Sequence, residues 1–242
     1  MKFIFATTFF CALSSIAQAQ HEHVQPVDEH DEHMMGGGNF GKVLIDKFET
    51  DDGDAQHWDV QAYYGSDTQK LWLKTEGEYS EGATEHAEIQ ALYSHAISPF
   101  FDLQFGVRHD VRPQPSRDWL ALGMQGLAPY FIETDATLFV GAEGRSALRL
   151  KAEYDLLITQ KLILAPELEI NVYRENDADT GIGRGLSDTE FGLRLRYELL
   201  REFAPYIGVS WTHQYGDTAE FTRRAGGDTS AMQWVAGIRM WF

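Results

Sequence analysis

From about residue 40 to the C terminus, apolar and polar residues alternate along the chain with a period of two. Over residues 148–158 the even positions are apolar or aromatic, whereas Arg149, Lys151, Glu153 and Asp155 hold the odd positions. Strict alternation predicts a β-strand with one apolar and one polar face. A helix would mix the two sets of residues on one face. The same alternation recurs at 101–107, 162–172 and 191–197.

The alternating runs have the length of membrane-crossing strands. Strands of soluble proteins peak at about five or six residues, whereas tilted strands that cross a bilayer need about nine to eleven. The pattern predicts an all-β fold, an antiparallel transmembrane β-barrel of about twelve strands spanning residues 39–242. The predicted strands are 40–48, 57–64, 69–80, 84–97, 100–111, 117–126, 130–141, 145–158, 161–174, 186–200, 203–215 and 230–242. The first is the weakest, because Lys42, Leu44, Asp46 and Phe48 mix the two faces.

Short and long connections alternate between these strands, as in bacterial barrels with short periplasmic turns. The short connections are Ser98-Pro99, Ala128–Tyr130, Thr159-Gln160 and Glu202–Ala204. The predicted long ones are 108–118, 141–146, 175–188 and 216–230. An even number of strands places both ends of the barrel sequence on the same side of the membrane.

The cost of burying charge in lipid decides which face points outward. An Arg or Lys that faces lipid at the bilayer centre costs about 2–4 kcal/mol, so the apolar face must meet lipid and the charged face must line the lumen. The alternative is a soluble sandwich, in which the apolar face would point inward. The predicted inward set carries both signs, which indicates a narrow or plugged lumen. Its members are Lys74, Glu76, Glu78, Glu88, Arg108, Glu133, Asp135, Arg149, Lys151, Glu153, Asp155, Glu167, Glu169, Arg194, Arg196, Glu198 and Arg239.

The first nineteen residues are typical of a cleaved secretory signal peptide. Lys2 precedes an uncharged apolar stretch, and Ala17-Gln18-Ala19 forms a small-x-small cleavage site. The single cysteine, Cys11, lies inside this segment. The mature chain therefore has neither a disulfide nor a thiolate metal site. Cleavage after Gln20 instead of Ala19 is the alternative; it would place a free amine at His21 and an imidazole at the third position.

Residues 20–38 are predicted to form a short, disordered acidic tail that is rich in histidine and methionine. Four of the nine histidines and two of the six methionines lie here, followed by a flexible Gly36–Gly38 tether. Imidazoles bind borderline cations, thioethers are soft ligands for Cu(I), and Cu(II) binds most strongly among divalent ions at N/O sites. The predicted copper ligands are His21, His23, His30, His33, Met34 and Met35. The alternative is a solvated acidic linker.

Charge excludes one class of partner. The net charge is −17, whereas nucleic-acid binding requires clustered Lys and Arg. The expected partners are therefore metal cations and the lipid of the outer membrane. The final strand alternates up to a terminal Phe242, an ending that resembles the sorting signal of outer-membrane barrels.

The chain also resembles the copper resistance protein B family over residues 43–242. The resemblance rests on several motifs in the right order. They are Trp72–Gly77, Gly106–Arg108 with Asp110, Leu122–Tyr130, Gly181–Ser187, Arg194–Tyr197, Arg201–Tyr206, Gly216–Thr218 and Val235–Phe242. The resemblance implies a role in copper tolerance at the outer membrane, by sequestration or export of copper, together with periplasmic copper-resistance proteins. Many members carry a longer segment with repeated Met/His clusters; the single Met34-Met35 pair here favours Cu(II) over Cu(I).

Two other functions are alternatives. A general porin or small-solute channel requires an open lumen. An outer-membrane hydrolase requires a Ser and a His on the same face, whereas Ser94 and His95 alternate. The sequence therefore predicts a protein without enzymatic activity.

Overall fold

The computed structural model describes residues 38–242, which form a closed antiparallel β-barrel. Strands that follow one another around the wall are paired, and the first strand pairs with the last, with Leu44 opposite Trp241, which closes the barrel. The strands are β1 (Phe40–Asp51), β2 (Gln56–Gly65), β3 (Gln69–Ser80), β4 (Ala83–Ala96), β5 (Phe101–Arg112), β6 (Arg117–Ala128), β7 (Ile132–Gly141), β8 (Ser146–Glu153), β9 (Leu156–Leu157), β10 (Leu162–Tyr173), β11 (Gly185–Tyr197), β12 (Phe203–Gln214) and β13 (Ser230–Trp241). The predicted barrel is confirmed.

The short β9 continues β8, so the barrel wall has the twelve strand positions that the sequence predicts. Both β8 and β9 pair with β10. The backbone of Tyr154 donates to the carbonyl of Pro166 at 3.1 Å. Proline has no N–H to return the bond. The ladder is therefore interrupted at Tyr154 and Asp155 although the wall itself is continuous.

The two ends of the barrel differ in their connections. The proximal end, which holds Phe40 and Trp241, has short turns. The distal end has the two longest connections, 174–184 and 215–229, and the second contains a helix, α1 (Gly216–Arg224). The predicted long connections at 108–118 and 141–146 are wrong. β5 continues to Arg112 and β6 begins at Arg117, and only residues 142–145 separate β7 from β8. No helix within residues 38–242 is long and apolar enough to cross a membrane.

A β-bulge explains the mixed faces of the first strand. The register of β1 shifts between Ile45 and Lys47 against β2, and between Ile45 and Phe48 against β13. As a result two consecutive side chains point inward: Asp46 pairs with Arg239 at 2.7 Å and Lys47 with Glu167 at 2.6 Å. One extra residue reverses the alternation downstream.

The faces are oriented as the alternation predicts. Leu120 and Trp234 on the outer face are each 65% exposed, whereas Glu88 and Arg149 are 2% and 7% exposed. In soluble proteins the apolar residues are the ones most often buried, and charged residues are almost never fully buried unless they are paired. An outer apolar face of this kind matches a lipid environment, which argues against the soluble sandwich.

Candidate functional site in the barrel lumen

The centre of the lumen holds a buried carboxylate between two arginines. Arg149 on β8 donates to both oxygens of Glu88 on β4, at 2.9 and 3.0 Å. Arg108 on β5 lies 2.8 Å from Glu88 and donates to Asp110 at 2.6 Å. Bidentate pairing of this kind is strong and geometrically specific. Because β4 and β8 are on different sides of the barrel, the pair crosses the interior.

A lysine extends this central cluster along the lumen. Lys151 on β8 lies 2.8 Å from Glu76 on β3 and 3.0 Å from Glu169 on β10. Arg149 also reaches Glu169 at 3.3 Å. Every one of these charges therefore has an opposite partner, as buried charges require.

A second cluster lies closer to the proximal end. Arg194 on β11 donates to both oxygens of Glu49, at 2.7 and 2.9 Å, and to Glu167 at 2.7 Å. Lys47 donates to the other oxygen of Glu167 at 2.6 Å. Arg196 reaches Asp155 at 2.6 Å. Most of the inward set predicted from the alternation thus pairs across the barrel, although its sequence positions are far apart. Within the described residues Glu78, Glu133 and Glu198 form no ion pair, and Glu133 is exposed.

Aromatic and aliphatic side chains pack against the central charges. Leu92, Trp119 and Phe139 are buried inside the lumen, with Trp72 and Tyr173 packed beside them. The guanidinium groups of Arg108 and Arg149 lie 4.6 and 5.7 Å from the ring centre of Phe139. Such cation–π contacts stabilise a desolvated cation. The alternation does not predict this apolar cluster, although Phe139 lies on the same inward side of β7 as Asp135.

A recess lies on each side of the central charged cluster. The distal recess is lined by Trp119, Ser146 and Tyr173, among others. The proximal recess is lined by Glu153, Ala165 and Glu167, among others. Along β8 and β10, Arg149, Lys151 and Glu169 lie between the two. The charged cluster therefore separates the recesses.

A loop folds over the distal recess and is held by an ion pair. Arg117 donates to both oxygens of Asp177, at 2.9 and 3.1 Å. Partial burial raises the pKa of Asp177, but the hydrogen bonds from Arg117 outweigh it and hold that pKa below its ordinary value. The connection 174–184 is therefore fixed to β6 when Asp177 is ionised.

Histidines line the distal rim on one part of the wall. His57 on β2 is opposite Glu78 on β3, and Glu78 is opposite His86 on β4. His57 lies 3.3 Å from Asp51, and His86 lies 3.9 Å from Glu88. Within residues 38–242, no three His, Cys, Asp or Glu side chains already converge on a point that could hold a metal ion.

The predicted copper ligands of the tail lie outside the described residues. These are His21, His23, His30, His33, Met34 and Met35. Within the described part, Met124, Met232 and Met240 alternate with the inward positions and belong to the outer face. The described lumen thus presents nitrogen and oxygen donors only, a set that suits Cu(II) better than Cu(I).

Solved structures share the fold. The NanC porin has a TM-score of 0.52 and 11% identity, over 83% of this chain and 99% of that one. The KdgM porin has a TM-score of 0.51 and 13% identity, with the same coverage. At such identity the likeness concerns the barrel architecture alone. This architecture fits an outer-membrane protein.

Sequence comparison gives a closer relation. Copper resistance protein B of Escherichia coli is 50% identical over 203 residues, which is 83% of this chain and 69% of the relative. A copper resistance protein B homolog of Pseudomonas syringae pv. tomato is 46% identical over 217 residues, 88% of this chain and 74% of the relative. The family described as copper resistance protein B precursor (CopB) matches residues 39–242. Because that match covers the whole barrel, the chain belongs to the copper resistance protein B family.

Proposed function

We propose that this protein protects the cell by binding Cu(II) at the outer membrane, with the N-terminal tail as the main copper-binding segment and the barrel as its anchor. Family membership supports the copper role. The four histidines clustered within residues 21–33 support the tail as the ligand source. Binding there would sequester copper or hand it to periplasmic copper-resistance proteins for export.

The observation that carries the proposal is the charged cluster between the two recesses. A diffusion channel requires a continuous water path, whereas Arg149, Glu88 and Arg108 fill the centre of the lumen with mutual contacts. This arrangement favours an anchor over a general porin. A hydrolase is also disfavoured, because Ser94 is buried towards Asp102 while His95 is exposed on the other face.

Copper titration of the full chain tests the proposal. Replacing His21, His23, His30 and His33 with Ala should remove most Cu(II) binding, measured by isothermal titration calorimetry. It should leave the barrel's thermal unfolding unchanged. The affinity of the parent should fall as the pH drops through about 6.5, where imidazoles take up protons.

Parallel titrations with Cu(I) and Zn(II) rank the metals. A four-histidine variant that binds as much Cu(II) as the parent, with equal affinity, would contradict the tail as the copper-binding segment.

A further inference from the structure

We propose a second Cu(II) site at the distal rim of the barrel, formed by His57, Glu78 and His86. The identity of the metal rests on the proposed function. The three residues occupy one row across three adjacent strands, with Glu78 directly opposite each histidine. Adjacent strands lie about 4.8 Å apart, so the two imidazoles flank a single carboxylate.

All three side chains belong to the inward face. His57 contacts the buried Asp51, which also accepts a hydrogen bond from Gln233 of β13 at 2.6 Å. Glu78 occupies an alternate position of β3 together with Lys74 and Glu76, so it points to the same face as these two residues, which pair across the lumen. His86 has the parity of Glu88 and lies beside its carboxylate. A copper ion bound here would lie at the distal mouth, on the lumen side of the wall.

The strand register beneath this row is fixed by packing on the outer face. Trp58 is opposite Gly77, and its indole covers the glycine so closely that a Cβ there would lie 2.3 Å from the ring. The indole nitrogen donates to Thr75 at 3.4 Å. Because β2 and β3 cannot slip past this contact, His57 and Glu78 remain opposite each other.

One of the two histidines already has a carboxylate within hydrogen-bond distance of a ring nitrogen. Asp51 lies 3.3 Å from Nε2 of His57, whereas Glu88 lies 3.9 Å from Nε2 of His86, beyond hydrogen-bond range. Metal-binding histidines typically use one nitrogen for the metal and the other for an orienting acceptor. In His57 this leaves Nδ1 for a metal ion, and in His86 neither ring nitrogen is held by Glu88.

The donor set matches the chemistry of Cu(II). Two imidazole nitrogens and one carboxylate oxygen suit a tetragonal Cu(II) centre, with water in the remaining positions. The three side chains do not yet converge, so the site closes when the imidazoles turn towards Glu78. The side chains of His57 and His86 are 29% and 36% exposed. They therefore have room to turn.

The test uses full-length protein in which the four tail histidines are Ala, so that only barrel sites remain. Into this background we place His57→Gln with His86→Gln, or the matched pair His95→Gln with His109→Gln. The control pair removes the same number of imidazoles from the outer face, where His95 is exposed and His109 is half-exposed beside Asp118. Cu(II) affinity is measured by calorimetry, and the nitrogen ligands are counted by electron paramagnetic resonance.

We expect the tail variant to bind one Cu(II) with nitrogen hyperfine structure. The His57/His86 pair should weaken this binding by at least about tenfold and remove the nitrogen signal, whereas the control pair should change neither. Asp51→Asn keeps an oxygen that can accept from the backbone N–H groups of Gly53 and Ala55, but it removes the charge that orients His57. It should lower the Cu(II) affinity of the tail variant by about 10–100-fold. A heat-modifiable gel shift verifies that every variant folds.

Two outcomes would overturn the rim site: a tail variant that binds no Cu(II), or two pair variants that bind it equally. Neither outcome contradicts the tail proposal, which depends on the difference in Cu(II) binding between the parent and the tail variant. The two hypotheses therefore fail separately.

Discussion

The energetic role of a single residue in this barrel depends on whether its side chain points to lipid or into the lumen. Leu150 is on the outer face, whereas the neighbouring Arg149 is 7% exposed and donates twice to Glu88. An arginine in lipid costs about 2–4 kcal/mol. Breaking a buried ion pair by removal of one partner costs about 3–5 kcal/mol. The inward side is therefore as sensitive to substitution as the lipid side, for a different reason.

Leu150→Arg and Arg149→Met should each lower the free energy of unfolding by several kcal/mol, measured by urea titration in lipid vesicles. The two differ in how they can be rescued. Adding Glu88→Met to Arg149→Met should recover much of the loss, because no unpaired carboxylate remains and Arg108 keeps Asp110. The same second substitution should not rescue Leu150→Arg. Equal effects of Glu88→Met in both backgrounds would argue against the central pair.

At the scale of elements, the connection 174–184 is held to β6 by one bidentate ion pair, and its end is also held by Gly183, whose backbone N–H donates to Thr218 of α1 at 2.8 Å. The bidentate pair between Arg117 and Asp177 ties it to the start of β6. Neighbouring Asp179 lies 3.8 Å from Arg117, and its side chain is 77% exposed. The two aspartates therefore provide a test and its matched control within one loop.

Asp177→Asn should accelerate hydrogen exchange across 174–184 at neutral pH, whereas Asp179→Asn should have little effect. The pKa of Asp177 is lowered in the folded state. The contribution of the pair is therefore complete above the unfolded pKa of about 3.9 and is lost as the pH falls through the lower folded value. In the parent, faster exchange should appear only below about pH 4. Faster exchange of the parent loop near pH 6 would show that another contact holds it.

At the scale of the whole molecule, the lumen is divided by the charged cluster. The distal and proximal recesses lie on either side of Arg149, Lys151 and Glu169. Buried pairs are only weakly screened by salt. The division should therefore persist at high ionic strength.

Liposome swelling with small sugars measures whether the division blocks diffusion. The parent should give no swelling above that of empty vesicles. Replacing Glu88, Arg108 and Arg149 together with Ala removes the central contacts and should open a measurable path. A matched triple replacement of the outer-face Leu120, Leu122 and Leu138 with Ala should open none. Sugar passage through the parent would contradict the blocked lumen and would favour a general porin.

The sequence by itself determined the class of fold. The period-two alternation gives each strand one charged and one apolar face, and because charges cannot face lipid, the charged face must line the lumen. It also determined the tail's candidate ligands, since residue type alone identifies the imidazoles and thioethers that can bind copper. The tertiary structure decided what alternation cannot encode. The bulge at Asp46 and Lys47, the break opposite Pro166 and the pairing of Arg149 with Glu88 depend on register and on contacts across the barrel. The row of His57, Glu78 and His86 belongs to this second group, because only strand pairing brings those three positions together.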